Sequence, residues 1–279
     1  MRVEDKVTLI VGGGRGIGRT IAHAFVSEGA KVAVLARTQT QVEEVAQSIQ
    51  AAGGVALALV GDVASPADID SAVSTIEQRL GCVQVLVNSA ARLRPIGPFA
   101  DVDIDDWWDT FQVNLWGPAI VCRRVIPAMI KAGSGKIINM SGGGATSPRA
   151  NFTAYGVSKA ALVRFTETLA EELKPHNIQV NAIAPGAVRT QMTEEIVIAG
   201  QLAGSRELQQ AQGILREGGD SAENAAELAV FLASAESDGI TGRLISAVWD
   251  DWRHLGEHSE EIAASDLYTL RRVVPKDRS

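Results

Sequence analysis

Tyr155 and Lys159 stand four positions apart in a segment that reads as helix. That spacing puts both side chains on one helix face, close enough to act together. A phenol with an ordinary pKa of about 10 exchanges protons near neutrality only if something favours its phenolate, and a nearby ammonium does that. The pair is a candidate acid/base for an alcohol or carbonyl oxygen. A surface Tyr/Lys pair has the same spacing, so the pair acquires meaning only from its surroundings.

The second chemistry-bearing group is Gly12-Gly13-Gly14-Arg15-Gly16-Ile17-Gly18. A phosphate needs backbone N–H groups at close range and a helix N-terminus aimed at it, and glycines permit the turn while removing obstructing side chains. Glycines also make plain turns. Here, however, the run follows an apolar strand-like segment (6–11) and opens a helical pattern through Ile17, Ile21, Ala24 and Phe25, which is the context a dinucleotide site requires. Asn114 adds a polar amide among apolar neighbours and should have a hydrogen-bonding role, either as a satisfied core amide or in the chemistry.

These groups need a frame. Strand-like runs recur at 31–35, 56–60, 83–87, 136–140, 179–183 and 243–246, and helix-like runs at 39–52, 67–80, 104–131, 154–173 and 222–233. Strands alternating with helices imply parallel strands joined by right-handed crossovers, and strands this apolar suit a sheet covered on both faces. The expected fold is α/β: a single doubly wound Rossmann domain over 1–279, with a parallel sheet of about seven strands flanked by helices. Two segments break the rhythm. Residues 187–221 are long and weakly periodic, which suggests a substrate lid with short helices of its own. Residues 247–279 form a C-terminal extension carrying Trp249, Trp252 and His254, with the tryptophans expected to pack on the domain or a partner subunit.

Taken in order, Gly12-x-x-x-Gly16-x-Gly18, Asp62-Val63, Asn88-Ser89-Ala90-Ala91, Asn114, Tyr155-x-x-x-Lys159 and Pro185-Gly186 resemble the motifs of the short-chain dehydrogenase/reductase family. The resemblance covers about 6–246. It implies hydride transfer between a nicotinamide and a carbonyl or secondary alcohol, with Tyr155 as acid/base, Lys159 assisting, and Asn114 kinking its helix and feeding a proton relay. It also implies a cofactor site: Gly12, Gly14, Arg15, Gly16, Ile17 and Gly18 at the turn, Asp62 and Val63 at the adenine, Asn88 and Ala90 on the ribose side, and Pro185, Gly186, Val188 and Thr190 towards the nicotinamide, with Tyr155 and Lys159 also contacting it. Helices 104–131 and 154–173 match those that pair subunits in relatives, implying a homodimer or homotetramer. Two departures are Val11 where Thr is usual and Ser89-Ala90-Ala91 where Asn-Ala-Gly is usual; both should alter support for the turn rather than abolish binding.

The second strand-like run ends Ala36-Arg37-Thr38. An acid at the place of Ala36 would hold a ribose 2′-hydroxyl; without one, Arg37 can fork onto a 2′-phosphate, and Thr38 stands beside it. With Arg15 as the second basic residue, NADP(H) is preferred over NAD(H), although both arginines would also read as solvated charges. The family's catalytic serine usually lies thirteen residues before the tyrosine, where this chain has Gly142. Ser141 is the candidate replacement. A backbone N–H, Thr146 or Ser147 could serve instead, or the site could be weak. That last option leaves a dinucleotide-binding sensor or structural protein as the alternative function. An enoyl reductase would space its Tyr and Lys more widely. Arg92, Arg94 and Arg149, in loops at the ligand-binding edge, could hold a substrate carboxylate or phosphate or simply be solvated.

The bulk numbers set limits. A net charge of −7 disfavours nucleic acid, which calls for a basic face. No apolar run approaches the roughly 20 residues that span a bilayer. Glu4, Asp5 and Lys6 interrupt any secretory apolar region, and Cys82 and Cys122 lack metal-ligand spacing, so a cytoplasmic protein with reduced thiols and no metal is expected. The partner expected is a small-molecule carbonyl or alcohol.

Overall fold

The computed structural model describes residues 1–274; the last part of the expected C-terminal extension, 275–279, lies outside the described residues. Seven strands, β1 (Val7–Val11), β2 (Lys31–Ala36), β3 (Ala56–Val60), β4 (Val85–Asn88), β5 (Gly135–Met140), β6 (Ile178–Ala184) and β7 (Leu244–Ser246), form one sheet in the order β3-β2-β1-β4-β5-β6-β7. Every pairing is parallel. The order reverses between β1 and β4, and the crevice beyond the carboxyl ends of these two strands is where such sheets bind ligands.

Period-two alternation explains why the strands are apolar throughout. Ile10 of β1 shares a core with Ile21, Phe25 and Phe231, while its neighbours Leu9 and Val11 share the opposite core with Ile76 and Val121. The helices on the first face are α1 (Gly16–Ser27), α2 (Gln39–Ala51) and, later in the chain, one at Ala222–Ala233. On α2, Val42, Val45, Ala46 and Ile49 are buried, a one-face spacing for a helix. The other face is covered by α3 (Pro66–Arg79) and by two helices at Gly117–Ala132 and Thr153–Leu173. Ser65 caps α3 by accepting the Asp68 N–H at 3.3 Å, with Pro66 in the first turn.

The helix expected over 104–131 is in fact two. α4 (Ile104–Phe111) passes through a π-helical turn at Gln112–Trp116 into α5 (Gly117–Ala132). The buried Asn114 sits in that turn, and such bulges mark sites where a helix is bent to present a group. α6 (Thr153–Leu173) carries Tyr155 and Lys159. The weakly periodic stretch folds into α7 (Gln191–Ala199), a 3₁₀ turn at Gly200–Ala203 and α8 (Ser205–Glu217), followed by α9 (Ala222–Ala233).

The extension is tied to the domain. Trp252 is buried against Phe231, with ring centres 5.8 Å apart, whereas Trp249 is 84% exposed. His254 is exposed and pairs with Asp251 at 2.9 Å. Beyond α10 (Ser259–Ala263) the chain runs along β7: the Leu244 N–H donates to the Tyr268 carbonyl at 2.8 Å. The Arg243 guanidinium donates to the carbonyls of Ile262, Ser265 and Leu267. Cys82 and Cys122 are both free. Among the described residues, no helix is long and apolar enough to cross a membrane.

Candidate active site

A cleft of about 1270 Å³ opens beyond the carboxyl ends of β1 and β4. The glycine turn forms one end. Gly12 has φ +80°, and a Cβ built on it would lie 2.5 Å from the Ala90 nitrogen, so only glycine lets the turn rest on the loop after β4. A Cβ on Gly18 would overlap the Gly12 carbonyl oxygen, so glycine there brings α1 hard against the turn. The first turn of α1 has no acidic residue, and its N-cap residue, Arg15, makes no side-chain cap bond. Its N–H groups therefore remain open to an anion. Arg15, Arg37 and Thr38 are exposed at the rim, and Ala36 lies beside Gly14 with no carboxylate between them. Among the described residues neither arginine has an ion-pair partner.

Gly12, Gly14, Gly16, Ile17, Gly18, Asp62, Val63, Ala90, Pro185, Gly186, Val188 and Thr190 all line the cleft, as do Ser141, Tyr155 and Lys159. Asp62 Oδ1 accepts the Ala64 N–H at 2.9 Å. Thr190 begins α7 with a reciprocal cap to Thr193. Two expected site residues stand behind the wall instead. The Asn88 amide is buried between strands, donating to Asn139 Oδ1 at 2.9 Å and to Cys122 Sγ at 3.7 Å. Asn114 accepts the Arg92 N–H at 2.8 Å and donates to the Arg92 carbonyl at 2.9 Å and to Ser158 Oγ at 3.0 Å. Ser158 in turn donates to the Tyr155 carbonyl at 2.8 Å. Asn114 thus ties α4–α5 to the loop after β4 and to the turn of α6 that carries Tyr155.

The Tyr155 phenol is buried, which pushes its pKa up, while the positive charge of Arg149 pulls it down. Lys159 is fully buried with no carboxylate partner among the described residues, and burial lowers its pKa to about 7. Its Nζ donates to the Met140 carbonyl at 2.6 Å and lies 5.8 Å from the Tyr155 ring centre. Gly142 faces the phenol directly: a Cβ there would be 3.2 Å from Tyr155 Cζ and would overlap Oη. The Ser141 hydroxyl beside it is buried and has no hydrogen-bond partner among the described residues.

α7 and α8 cover the far end of the cleft, where Ile196, Ala203 and Ala211 pack with Leu93, Phe152 and Tyr155. Two contacts escape sequence reasoning. Arg149 pairs with Glu207 of α8 at 2.6 Å. Asp220 accepts the Ala187 N–H at 2.6 Å and returns its own N–H to the Ala187 carbonyl at 3.2 Å, clasping the 185–188 loop. No periodicity or motif marks Glu207 or Asp220, because each partner is distant in sequence. Of the three loop arginines, Arg92 is paired with Asp106 and Arg149 with Glu207, while Arg94 does not line the cleft. Trp249 also reaches the cleft mouth.

The family description "short chain dehydrogenase" matches residues 6–199. A short chain dehydrogenase of Pseudocercospora fijiensis is 38% identical over 68% of the chain, which spans 62% of that relative's own length. Galactitol 2-dehydrogenase of Agrobacterium fabrum is 34% identical over 90% of the chain and 99% of the relative. Among solved structures, an NAD⁺-bound xylitol dehydrogenase superposes with a TM-score of 0.81 at 28% identity, covering 88% of this chain and 98% of that one. A gluconate 5-dehydrogenase from Burkholderia cenocepacia, in complex with NADP and tartrate, gives 0.78 at 29% identity, covering 88% and 94%. The chain belongs to the short-chain dehydrogenase/reductase family and is an oxidoreductase.

Proposed function

We propose that this short-chain dehydrogenase/reductase moves a hydride between NADP(H) and a small carbonyl or secondary alcohol, with Tyr155 as acid/base and Lys159 as its aide. The observation that carries the reading is the single cleft that joins the glycine turn, the free rim arginines and the Tyr155/Lys159 pair. The residues fit a dinucleotide: Gly12 and Gly18 leave a cradle that a Cβ would fill, and the N-terminal N–H groups of α1 are open. Gly14, Arg15, Gly16 and Ile17 would complete the phosphate end, Asp62 and Val63 would border the adenine, Ala90 the ribose, and Pro185, Gly186, Val188 and Thr190 the nicotinamide. Asn88 supports this wall from behind. When bound, the nicotinamide supplies or accepts the hydride.

The choice of NADP(H) rests on Ala36, Arg37 and Arg15. One structural neighbour carries NADP and another NAD⁺, so the neighbours do not make the choice. At the other end, Tyr155 gives a proton to the forming alkoxide, or takes one from the alcohol. Lys159 holds charge near the phenol, and a ligand hydroxyl could replace its Met140 carbonyl partner. Asn114 fixes the Tyr155 turn through Ser158. Ser141 is the candidate for the second hydrogen bond to the substrate oxygen, because a buried hydroxyl with no partner calls for one. The non-catalytic alternative is not favoured, since these relatives bear dehydrogenase names.

α7 and α8 act as the lid. The exposed Trp108, Trp116 and Val157 on α4–α6 form the subunit contact of a homodimer or homotetramer. The cytoplasm suits the two free thiols. The test is separate titration with NADPH and NADH, then a screen of carbonyls and alcohols by nicotinamide absorbance. Tyr155→Phe should lose at least 10²-fold in rate; unchanged activity in that variant overturns the mechanism.

A further inference from the structure

Arg149 stands between the catalytic loop and the lid. Its guanidinium carbon lies 4.0 Å over the Phe152 ring centre and 6.0 Å from the Tyr155 ring centre. On its other side, Nη2 meets Glu207 Oε2 of α8 at 2.6 Å. The two side chains are 19% and 22% exposed, so solvent screens their charges only in part. One cation therefore touches the aromatic floor of the site and a carboxylate of the lid at once.

The other charged groups around the cleft are committed elsewhere, only partly charged, or, like Arg189 and Glu194, exposed at its rim. Lys159, on the same helix, is sealed from solvent with a carbonyl as its partner, and burial brings its ammonium down to about 7. Near neutrality that charge is only partly present. From the loop after β4, Arg92 is paired with Asp106 of α4. From the hinge before α9, Asp220 is bound to the Ala187 N–H. Arg206 of α8 is exposed at the rim. A guanidinium keeps its charge at every pH an enzyme meets.

We propose that Arg149 is a positioning residue for the reaction, the standing cation that favours the Tyr155 phenolate, and that Glu207 sets how much of its charge the phenol feels. The inference rests on the reading of Tyr155 as the acid/base. Its consequence is that the lid tunes the acid. With α8 closed, Glu207 compensates Arg149 and the phenol holds its proton more tightly. When α8 moves away, the guanidinium is uncompensated and the phenolate gains. Charge placement thus links lid position to proton affinity without any new contact at the phenol itself. The direction found for Tyr155 agrees: burial raises it and Arg149 opposes that rise.

The sequence has two tyrosines, Tyr155 and Tyr268. On a Tyr268→Phe background, alkaline titration of phenolate absorbance reports Tyr155 alone and needs no turnover. Arg149→Gln should raise the Tyr155 midpoint and Glu207→Gln should lower it, each by on the order of one pH unit. Arg149→Lys should fall between wild type and Arg149→Gln. Opposite signs in the two neutral variants support a charge effect. A lid tether alone would let water reach the phenol in both variants and lower both midpoints, so shifts of the same sign, or no shift, overturn the inference. The reading of Tyr155 as acid/base is tested separately, by the activity of Tyr155→Phe.

Discussion

The Tyr155 hydroxyl occupies the space that a side chain on residue 142 would need: a Cβ built on Gly142 would overlap Oη and lie 3.2 Å from Cζ. The missing serine is therefore more than an absent donor. The glycine is the contact surface on which the phenol rests.

It follows that putting the family's usual residue back does not simply repair the site. Gly142→Ser and Gly142→Ala should both displace the phenol or the 141–144 loop, and both should lower kcat/KM by about tenfold or more, since small misplacements of reacting groups are costly. The two variants separate the effects of bulk and of the hydroxyl. If Gly142→Ser raises the rate while Gly142→Ala lowers it, the hydroxyl outweighs the clash. In the same assay, Ser141→Ala should lose about 10²-fold, the cost of one oriented donor.

The charge state of Lys159 predicts a pH dependence of stability. Its folded pKa is depressed from 10.5 to about 7 by burial. Between about pH 7 and pH 10.5 the unfolded chain binds the proton that the folded chain has released, so this group makes stability rise with pH across that window and adds nothing further above it. Below about pH 7 the burial penalty is constant. Lys159→Met should therefore raise Tm at pH 7 by several degrees in the protein without nucleotide. It should also flatten the rise seen by thermal melts from pH 7 to 10, while abolishing turnover.

The rim arginines predict a selective loss. Arg37→Ala should weaken NADPH binding about tenfold or more and leave NADH binding within about twofold, because only the 2′-phosphate meets that charge. Ala36→Asp should shift preference towards NADH. Calorimetric titration of both nucleotides reads the two results directly, and equal weakening of NADPH and NADH by Arg37→Ala would place the arginine on a phosphate common to both.

Asp220 predicts an effect beyond the phenol. Asp220→Ala leaves the Ala187 N–H without its acceptor and frees the loop that carries Pro185, Gly186 and Val188. Stability should fall by about 1–3 kcal/mol, and the KM for nucleotide should rise. Denaturant melts and steady-state kinetics check both. Asp220→Asn keeps an acceptor and should recover most of the loss.

The sheet was legible because its signals are local. Each strand is built around a short apolar run, most turns carry a glycine, and the 222–233 helix lies where its periodicity put it. The glycine turn and the Tyr155/Lys159 pair were legible for the same reason: their spacing lies within one turn or one helix. The π-helical turn at Gln112–Trp116 was not, because periodicity cannot distinguish one extra residue in a helix that stays apolar on both sides of it. Arg149 with Glu207 and Asp220 with Ala187 join residues 58 and 33 positions apart, and such pairs come from tertiary packing alone. Asn114 came into view as an amide among apolar neighbours and Asn88 through motif order, but the partners that hold both side chains behind the cleft need coordinates.

The grip of Arg243 on the end of the chain has a consequence for handling the protein. Its guanidinium is served by carbonyls of Ile262, Ser265 and Leu267, and the Leu244 N–H by Tyr268. Together these contacts hold the protein's own backbone against the outer side of the last strand. Shortening the chain ahead of Ile262 would leave the buried Arg243 cation without its carbonyl partners and bare a strand border able to recruit another molecule. The backbone of 262–268 thus lies along the outer strand of the sheet like a selvage.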